Sequence, residues 1–258
     1  IKGNMVEIGT VQDVTADHTD FIANDDLSIN AQTLNVSNAS LFAQNSGTIN
    51  TDIFNNHDSI VSATQMNINT IIFNNADSHL YSDSGTVNIN TSGTLNNNNG
   101  LISANENLIL DAQSLDNRHG DLEAGNSLEI RSNNVQIDNS RFFAGNHLAV
   151  TSNISNIDTN TKFLSANTID LDFAGNLIHH GERLSSGKGN IIVYGDLNNE
   201  SSITANNSLN IVANTLNNNV NNTGASIRGG YLTNLTLNGN LNNYGFITSS
   251  GSLDITAT

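Results

Sequence analysis

The chain contains no cysteine, no proline and no tryptophan, and only eight of its 258 residues are lysine or arginine. Without cysteine it can form neither disulfide bonds nor thiolate metal sites. No apolar run approaches the ~20 residues of a membrane span. There is no basic stripe, so nucleic acids and anionic lipid surfaces are poor partners.

Acidic charge is abundant and unevenly distributed. The formal net charge is −16, and no lysine or arginine lies between Gly3 and Asn117, a stretch that holds 13 Asp and Glu. From Arg118 onward there are seven basic and 11 acidic residues. We interpret the acidity as a contribution to solubility.

Asparagine is abundant: the chain contains 49 Asn and 20 Gly. Asn tolerates the left-handed backbone and hydrogen-bonds turns locally. So much Asn with so little Lys and Glu argues against helices. The short apolar stretches alternate with polar residues, as at 27–31 and 87–91, and this periodicity indicates β-strands.

The sequence repeats itself about every 20 residues. The clearest unit is SLDNRHGDLEAGNSLEI at 114–130, with related text at 94–110, 196–211 and 240–255. A period of this length indicates a solenoid. A coil of about 20 residues is too short for a helix and its turns, so we predict two or three short strands per coil, stacked in parallel. The predicted fold is an all-β parallel β-helix of about 12 coils, a single domain over 1–258.

An apolar residue before each Asn-rich turn gives a register for the repeats. These anchors are Leu34, Ile53, Ile72, Leu95, Leu115, Ile137, Ile157, Ile178, Leu197, Leu216 and Leu241, although Val135 would serve nearly as well as Ile137. Two positions later lies a column in which eight of eleven residues are Asn. We predict a stacked amide ladder there, formed by Asn55, Asn74, Asn97, Asn117, Asn139, Asn199, Asn218 and Asn243. His180 falls in the same column, and Phe54 and Phe73 are expected to stack on the opposite face.

The sequence LDNRHGDLEAGNSLEI resembles the haemagglutinin repeats of filamentous haemagglutinin and the shafts of related two-partner-secretion exoproteins. These are large adhesins, haemolysins and contact-dependent growth-inhibition effectors. The resemblance covers about 26–257. It implies a right-handed parallel β-helix, exported from a Gram-negative cell through a dedicated outer-membrane transporter and displayed outside that cell. It also implies that the chain is an internal part of a longer exoprotein.

Catalysis and metal binding find little support in the sequence. Asn50-Thr51-Asp52 and His180-Gly181 match pieces of the pattern of pectin-degrading β-helix enzymes, but the acid pair Asp25-Asp26 precedes them instead of following. A polysaccharide-active enzyme is therefore a distant alternative. Asp170 and Asp172 share a strand face but are too few for calcium. We predict no catalytic residue, no cofactor and no metal site.

Variable turns are where a rigid scaffold carries specificity. The interval from Leu216 to Leu241 is the longest between anchors, and the segment 179–188 has unusual local charge. Tyr and Arg are enriched at interface hot spots. The predicted receptor-contact residues are Asn221, Asn222, Arg228, Tyr231, His179, Arg183 and Lys188.

These observations lead to a functional expectation. We expect a non-enzymatic, rigid segment of a secreted cell-surface exoprotein that serves adhesion or recognition of a target cell, as a growth-inhibition effector or an adhesin stalk. Its partners would be the outer-membrane transporter during export and a protein or glycan on the target cell. It would not insert into a membrane. The alternative is a structural spacer without a partner.

Overall fold

The computed structural model describes residues 1–154, 156–181, 184–218 and 224–258, and the side chains of 10, 156, 184 and 185 are not described. The described residues form parallel β-strands and no helix, in about 12 stacked coils of about 20 residues. The prediction of an all-β solenoid is confirmed. No helix in this part of the chain is long and apolar enough to cross a membrane.

The chain divides into two compact units, residues 1–132 and residues 133–258. The strands that begin in the first unit are β1 (Lys2–Gly3), β2 (Val6–Asp17), β3 (Phe21–Ala23), β4 (Leu27–Ser37), β5 (Ser40–His57), β6 (Ile60–Asn74), β7 (His79–Ser82), β8 (Val87–Asn96), β9 (Leu101–Ala104), β10 (Asn107–Asp116), β11 (Asp121–Ala124) and β12 (Ser127–Gln136).

The strands that begin in the second unit are β13 (Arg141–Ala144), β14 (His147–Ser152), β15 (Asn156–Thr159), β16 (Lys162–Ser165), β17 (Thr168–Phe173), β18 (Asn176–His179), β19 (Leu184–Val193), β20 (Leu197–Asn199), β21 (Ser202–Ala213), β22 (Leu216–Asn218), β23 (Ser226–Gly229), β24 (Leu232–Leu237), β25 (Leu241–Asn243), β26 (Phe246–Ser249) and β27 (Ser252–Ala257).

Each coil places alternate side chains inside, as the period of two in the sequence requires. In β9 the side chains of Ile102 and Ala104 point inward, and in β10 those of Leu108 and Leu110 do so. Leu108 pairs with Val87 of the previous coil, 21 residues earlier. Fully burying one such side chain stabilises the fold by roughly 1.5–3 kcal/mol, so the stack of apolar columns provides the core of the first unit.

The second unit repeats this arrangement and adds a separate sheet of short strands. Strands β15, β18, β20, β22 and β25 form a parallel five-stranded sheet. Its inward column consists of Ile157, Leu177, Leu197, Leu216 and Leu241. The predicted anchors Ile157, Leu197, Leu216 and Leu241 occupy this column, whereas in β18 Leu177 occupies it in place of the predicted anchor Ile178.

A left-handed residue closes the Asn-rich turn in seven coils. Among the described residues, the non-glycine residues with positive φ are His18, Asn38, Asp58, Asp77, Asn99, His119 and Asn139, with φ between 46° and 58°. Asn, Asp and His are the side chains that tolerate this conformation best after glycine. The left-handed backbone conformation of these turns thus accounts for the abundance of Asn in them.

In two of these turns the next residue is a glycine, Gly100 or Gly120, which allows the coils to approach closely. A Cβ on Gly120 would collide with the carbonyl oxygen of Asn97 and lie 2.7 Å from Oδ1 of Asn117. We expect Gly120→Ala to lower the free energy of unfolding by about 1–3 kcal/mol, because the backbone has to shift. Gly9→Ala is the matched control, since no heavy atom lies within 4 Å of its new Cβ. Equal urea midpoints for the two variants would contradict this reading.

Candidate functional site

The turn column of the first unit is a hydrogen-bonded asparagine ladder inside the molecule. Nδ2 of Asn56 donates to Oδ1 of Asn75 at 2.7 Å, Nδ2 of Asn75 donates to Oδ1 of Asn97 at 2.7 Å, and Nδ2 of Asn97 donates to Oδ1 of Asn117 at 2.6 Å. All four side chains are fully buried. We call these residues the inner ladder of the first unit.

The ladder also ties the turn to the strand that follows it. Nδ2 of Asn97 donates to the carbonyl oxygen of Gly100 at 3.2 Å, and Nδ2 of Asn117 donates to that of Gly120 at 2.9 Å. The ladder begins at Asn56, whose Oδ1 has no partner among the described residues. Its neighbour in the previous coil is Val36, which has no amide to donate.

The second unit has a shorter inner ladder. Nδ2 of Asn199 donates to Oδ1 of Asn218, and Nδ2 of Asn218 donates to Oδ1 of Asn243, both at 2.8 Å. In the preceding coils the column holds Thr159, whose Oγ1 donates to the carbonyl oxygen of Ile137 at 3.0 Å, and then His179. Buried amides without partners are costly, so this chain of bonds specifies the stacking register.

Three of the predicted ladder residues lie elsewhere. Asn55 and Asn74 point outward, where Asn55 donates to Asn35 and Asn74 accepts from Asn96. Phe54 and Phe73 are the true anchors: they are fully buried and stacked with ring centroids 4.8 Å apart. The predicted register was one residue early in these coils because Ile53 and Ile72 are also apolar. Burying the larger aromatic surface of the Phe pair decides the register, and Ile72 is left exposed.

Asn139 is the third such residue, and its displacement has the same kind of cause. Val135 and Ile137 are both buried, so Val135 is the anchor and Ile137 occupies the column. Asn139 then falls two residues further on, with φ of 53° and its amide donating to Oδ2 of Asp138 at 2.9 Å. Its side chain therefore serves the turn and not the ladder.

His179 occupies the inner column of the second unit, where His180 was predicted. Its side chain is 1% exposed. Neither ring nitrogen forms a hydrogen bond with a described residue, although the backbone of Ser202 lies close enough to favour the protonated form. Burial lowers the pKa of His179 to about 4, and the neighbouring His180 acts in the same direction. A buried His179 makes no receptor contact, so that prediction is wrong.

His180 faces outward and lies between two carboxylates of the adjacent coils. Nε2 lies 3.0 Å from Oδ1 of Asp158, and Nδ1 lies 2.9 Å from Oε2 of Glu200. The two consecutive histidines are thus in opposite environments, His179 buried inside the coil and His180 on its outer face beside two carboxylates.

Three of the predicted contact residues lie on an exposed part of the second unit. Arg228 projects from the outer face of β23, between Thr204 of β21 and Thr248 of β26. Tyr231 is 76% exposed in the turn that follows, with its backbone N–H donating to the carbonyl of Asn207. Lys188 is exposed and pairs in register with Ser208, the residue after Asn207.

Two aromatic residues extend this area and were missed in the sequence. Phe246 is 68% exposed and pairs with Ser226 on the same outer face, while Tyr244 is 73% exposed in the turn before it. Register could have placed Phe246 outward, because its neighbour Ile247 aligns with the buried Ile227. We call Lys188, Arg228, Tyr231, Tyr244 and Phe246 the Arg228 surface.

The remaining predicted contact residues, Arg183, Asn221 and Asn222, lie outside the described residues. From Ser201 to Thr258 the only charged residues are Arg228 and Asp254. The Arg228 surface is therefore an aromatic region with two basic side chains, Lys188 and Arg228, in a strongly acidic chain. Such a composition is typical of binding interfaces.

The part of the chain that the structure describes contains no group of three or more His, Asp or Glu side chains that could hold a metal ion. No protein-family model, curated protein sequence or solved structure gives a match to this chain. The class that the fold defines is a β-solenoid, and it is compatible with a rigid, adhesin-like stalk.

Proposed function

We propose that this chain is a non-enzymatic segment of a secreted, cell-surface exoprotein that recognises a target cell. The observation that carries the proposal is the Arg228 surface, a group of exposed aromatic and basic side chains held on a regular scaffold of paired strands. Hot spots are enriched in Tyr and Arg. The partner would be a protein or glycan on the target cell.

The resemblance of the repeats supports a finer proposal. The chain would belong to a filamentous haemagglutinin-like exoprotein of the two-partner-secretion class, either an adhesin or a growth-inhibition effector, and would pass through an outer-membrane transporter during export. The stacked core and inner ladders would supply stiffness, since successive coils are paired through the backbone and, along the two ladders, also through side chains. The alternative of a pure spacer requires that the Arg228 surface bind nothing.

Binding to intact cells tests this proposal. The labelled chain is expected to bind saturably to Gram-negative or epithelial cells, and Arg228→Ala/Tyr231→Ala is expected to weaken the binding at least about tenfold, as for a pair of hot-spot residues. Arg131→Ala/Tyr194→Ala is the matched control, because both of its residues are exposed. Equal loss in both variants, or no binding to any cell type, would favour the spacer.

A further inference from the structure

A groove crosses the outer corner of three successive coils in the first unit. It has a volume of about 610 Å³, and its lining includes Val11, Gln12, Asn30, Gln32, Asn50 and Asp52. This volume falls within the range of roughly 300–1,000 Å³ that is usual for small-ligand sites. It lies in the first unit, whereas the Arg228 surface lies in the second.

A bulge in β2 opens the groove. Ile8 pairs with Ile29 and Val11 pairs with Ala31, so the two residues 9 and 10 lie opposite the single residue Asn30. Bulges re-aim side chains and frequently accompany binding sites. Gly9 has no side chain, and open space surrounds the position of its missing Cβ.

The bulge also ends an outer row of asparagines. Nδ2 of Asn69 donates to Oδ1 of Asn50, and Nδ2 of Asn50 donates to Oδ1 of Asn30, both at 2.9 Å. Nδ2 of Asn30, at the end of the row, donates to no described residue. The half-buried amide of Asn30 is therefore held in place by two further amides. Its Nδ2 can donate to a ligand in the groove.

The chemistry of the lining selects the ligand. Carboxamides offer both donors and acceptors, and Gln12, Asn30, Gln32 and Asn50 supply four of them. The carboxylate of Asp52 adds a stronger, charge-assisted acceptor. Vicinal hydroxyl groups match this set because each of them also donates and accepts. Val11, which is 43% exposed, gives an apolar contact for the C–H face of a sugar ring.

Charge and backbone pairing argue against two other classes of ligand, anionic glycans and extended peptides. The stretch from Gly3 to Asn117 has 13 acidic residues and no basic one, so a sialylated, sulfated or phosphorylated ligand would be repelled. An extended peptide gains most of its affinity by pairing with a free strand edge. Strand β4, at the centre of the groove, is already paired with β2 on one side and with β5 on the other.

We infer that this groove is a binding site for a neutral oligosaccharide, recognised through the amides of Gln12, Asn30, Gln32 and Asn50 and the carboxylate of Asp52. This second site is independent of the proposed contact at the Arg228 surface. No bond is made or broken in it; the groove holds the sugar and the Arg228 surface engages its own partner.

A glycan array carrying neutral, sialylated and sulfated oligosaccharides tests the inference with the whole chain, followed by calorimetry of the tightest neutral binder. We expect neutral glycans to bind and Gln32→Ala/Asp52→Asn to weaken their binding at least about tenfold, the equivalent of 1.4 kcal/mol. Affinity should change little between 50 mM and 500 mM salt, because the ligand carries no charge.

A matched variant separates the groove from general surface effects. Gln65→Ala/Asp83→Asn removes one exposed amide and one exposed carboxylate from the same unit, outside the groove. It should bind neutral glycans as the unaltered chain does, and circular dichroism should show all three proteins folded. Binding of only anionic glycans, equal binding by both variants, binding of only an extended peptide included as a competitor, or no binding at all would overturn the inference. Cell binding through the Arg228 surface would survive each of these outcomes.

Discussion

Replacing Asn75 with alanine is expected to lower the free energy of unfolding by about 2–5 kcal/mol. The substitution removes the acceptor for Asn56 and the donor to Asn97. Each buried polar group left without a partner costs roughly 1–3 kcal/mol, and a cavity adds to the loss. Urea unfolding followed by circular dichroism measures the effect as a shift of the midpoint.

Asn74→Ala is the matched control for this variant. Asn74 is the adjacent residue of the same type, half-buried on the outer face, where its Oδ1 accepts a hydrogen bond from Asn96. We expect a loss below about 1 kcal/mol, since water replaces a partner at an accessible amide. The two variants also test the register. A larger loss of stability for Asn74→Ala than for Asn75→Ala would mean that the ladder lies in the outer column.

Acidification is expected to destabilise the fold through His179. The pKa of His179 is lowered from 6.5 to about 4 in the folded chain, so between these values the unfolded state binds a proton that the folded state does not. The contribution of His179 to stability is therefore complete above pH 6.5 and falls as pH decreases towards 4. The shift corresponds to a loss on the order of 3 kcal/mol, measurable as urea midpoints at pH 7.5, 6.0, 5.0 and 4.0.

His179→Asn is expected to remove this part of the acid sensitivity and to raise stability at pH 5. An asparagine at this place would extend the ladder of Asn199 and Asn218 by one coil, because position 179 pairs in register with Asn199. His18→Asn serves as the control, since the side chain of His18 is 74% exposed. If His179→Asn and His18→Asn have the same pH profile, the buried histidine plays no part in acid unfolding.

The coil period, the alternation within strands and the parallel stacking could all be predicted from the local sequence. Pairs such as Ile102 and Ala104 recur at every coil, and alternation by two decides which of them face inward wherever the neighbours are polar. Asn97, Asn117, Asn199, Asn218 and Asn243 were placed correctly for the same reason: each follows a leucine that has no apolar rival beside it.

The predicted register was wrong by one residue where two apolar residues are adjacent. Ile53-Phe54, Ile72-Phe73 and Leu177-Ile178 each offer two anchors, and a slip of one residue turns every side chain to the other face. The pair Asn-Asn directly after the anchor would have resolved two of them, because Phe54-Asn55-Asn56 and Phe73-Asn74-Asn75 then align with Leu197-Asn198-Asn199. Leu177-Ile178 is followed by His179-His180 and not by an Asn-Asn pair, so this signal is missing there.

The sequence by itself determined the architecture of this protein, because a strand period of two inside a coil period of about 20 allows one way to bury the apolar residues. Tertiary structure alone decided which of His179 and His180 is buried and where the bulge of β2 opens a groove beside Asn30. These features depend on contacts between residues about 20 positions apart. They are fixed by the competition for space inside the stacked coils, which no local pattern contains.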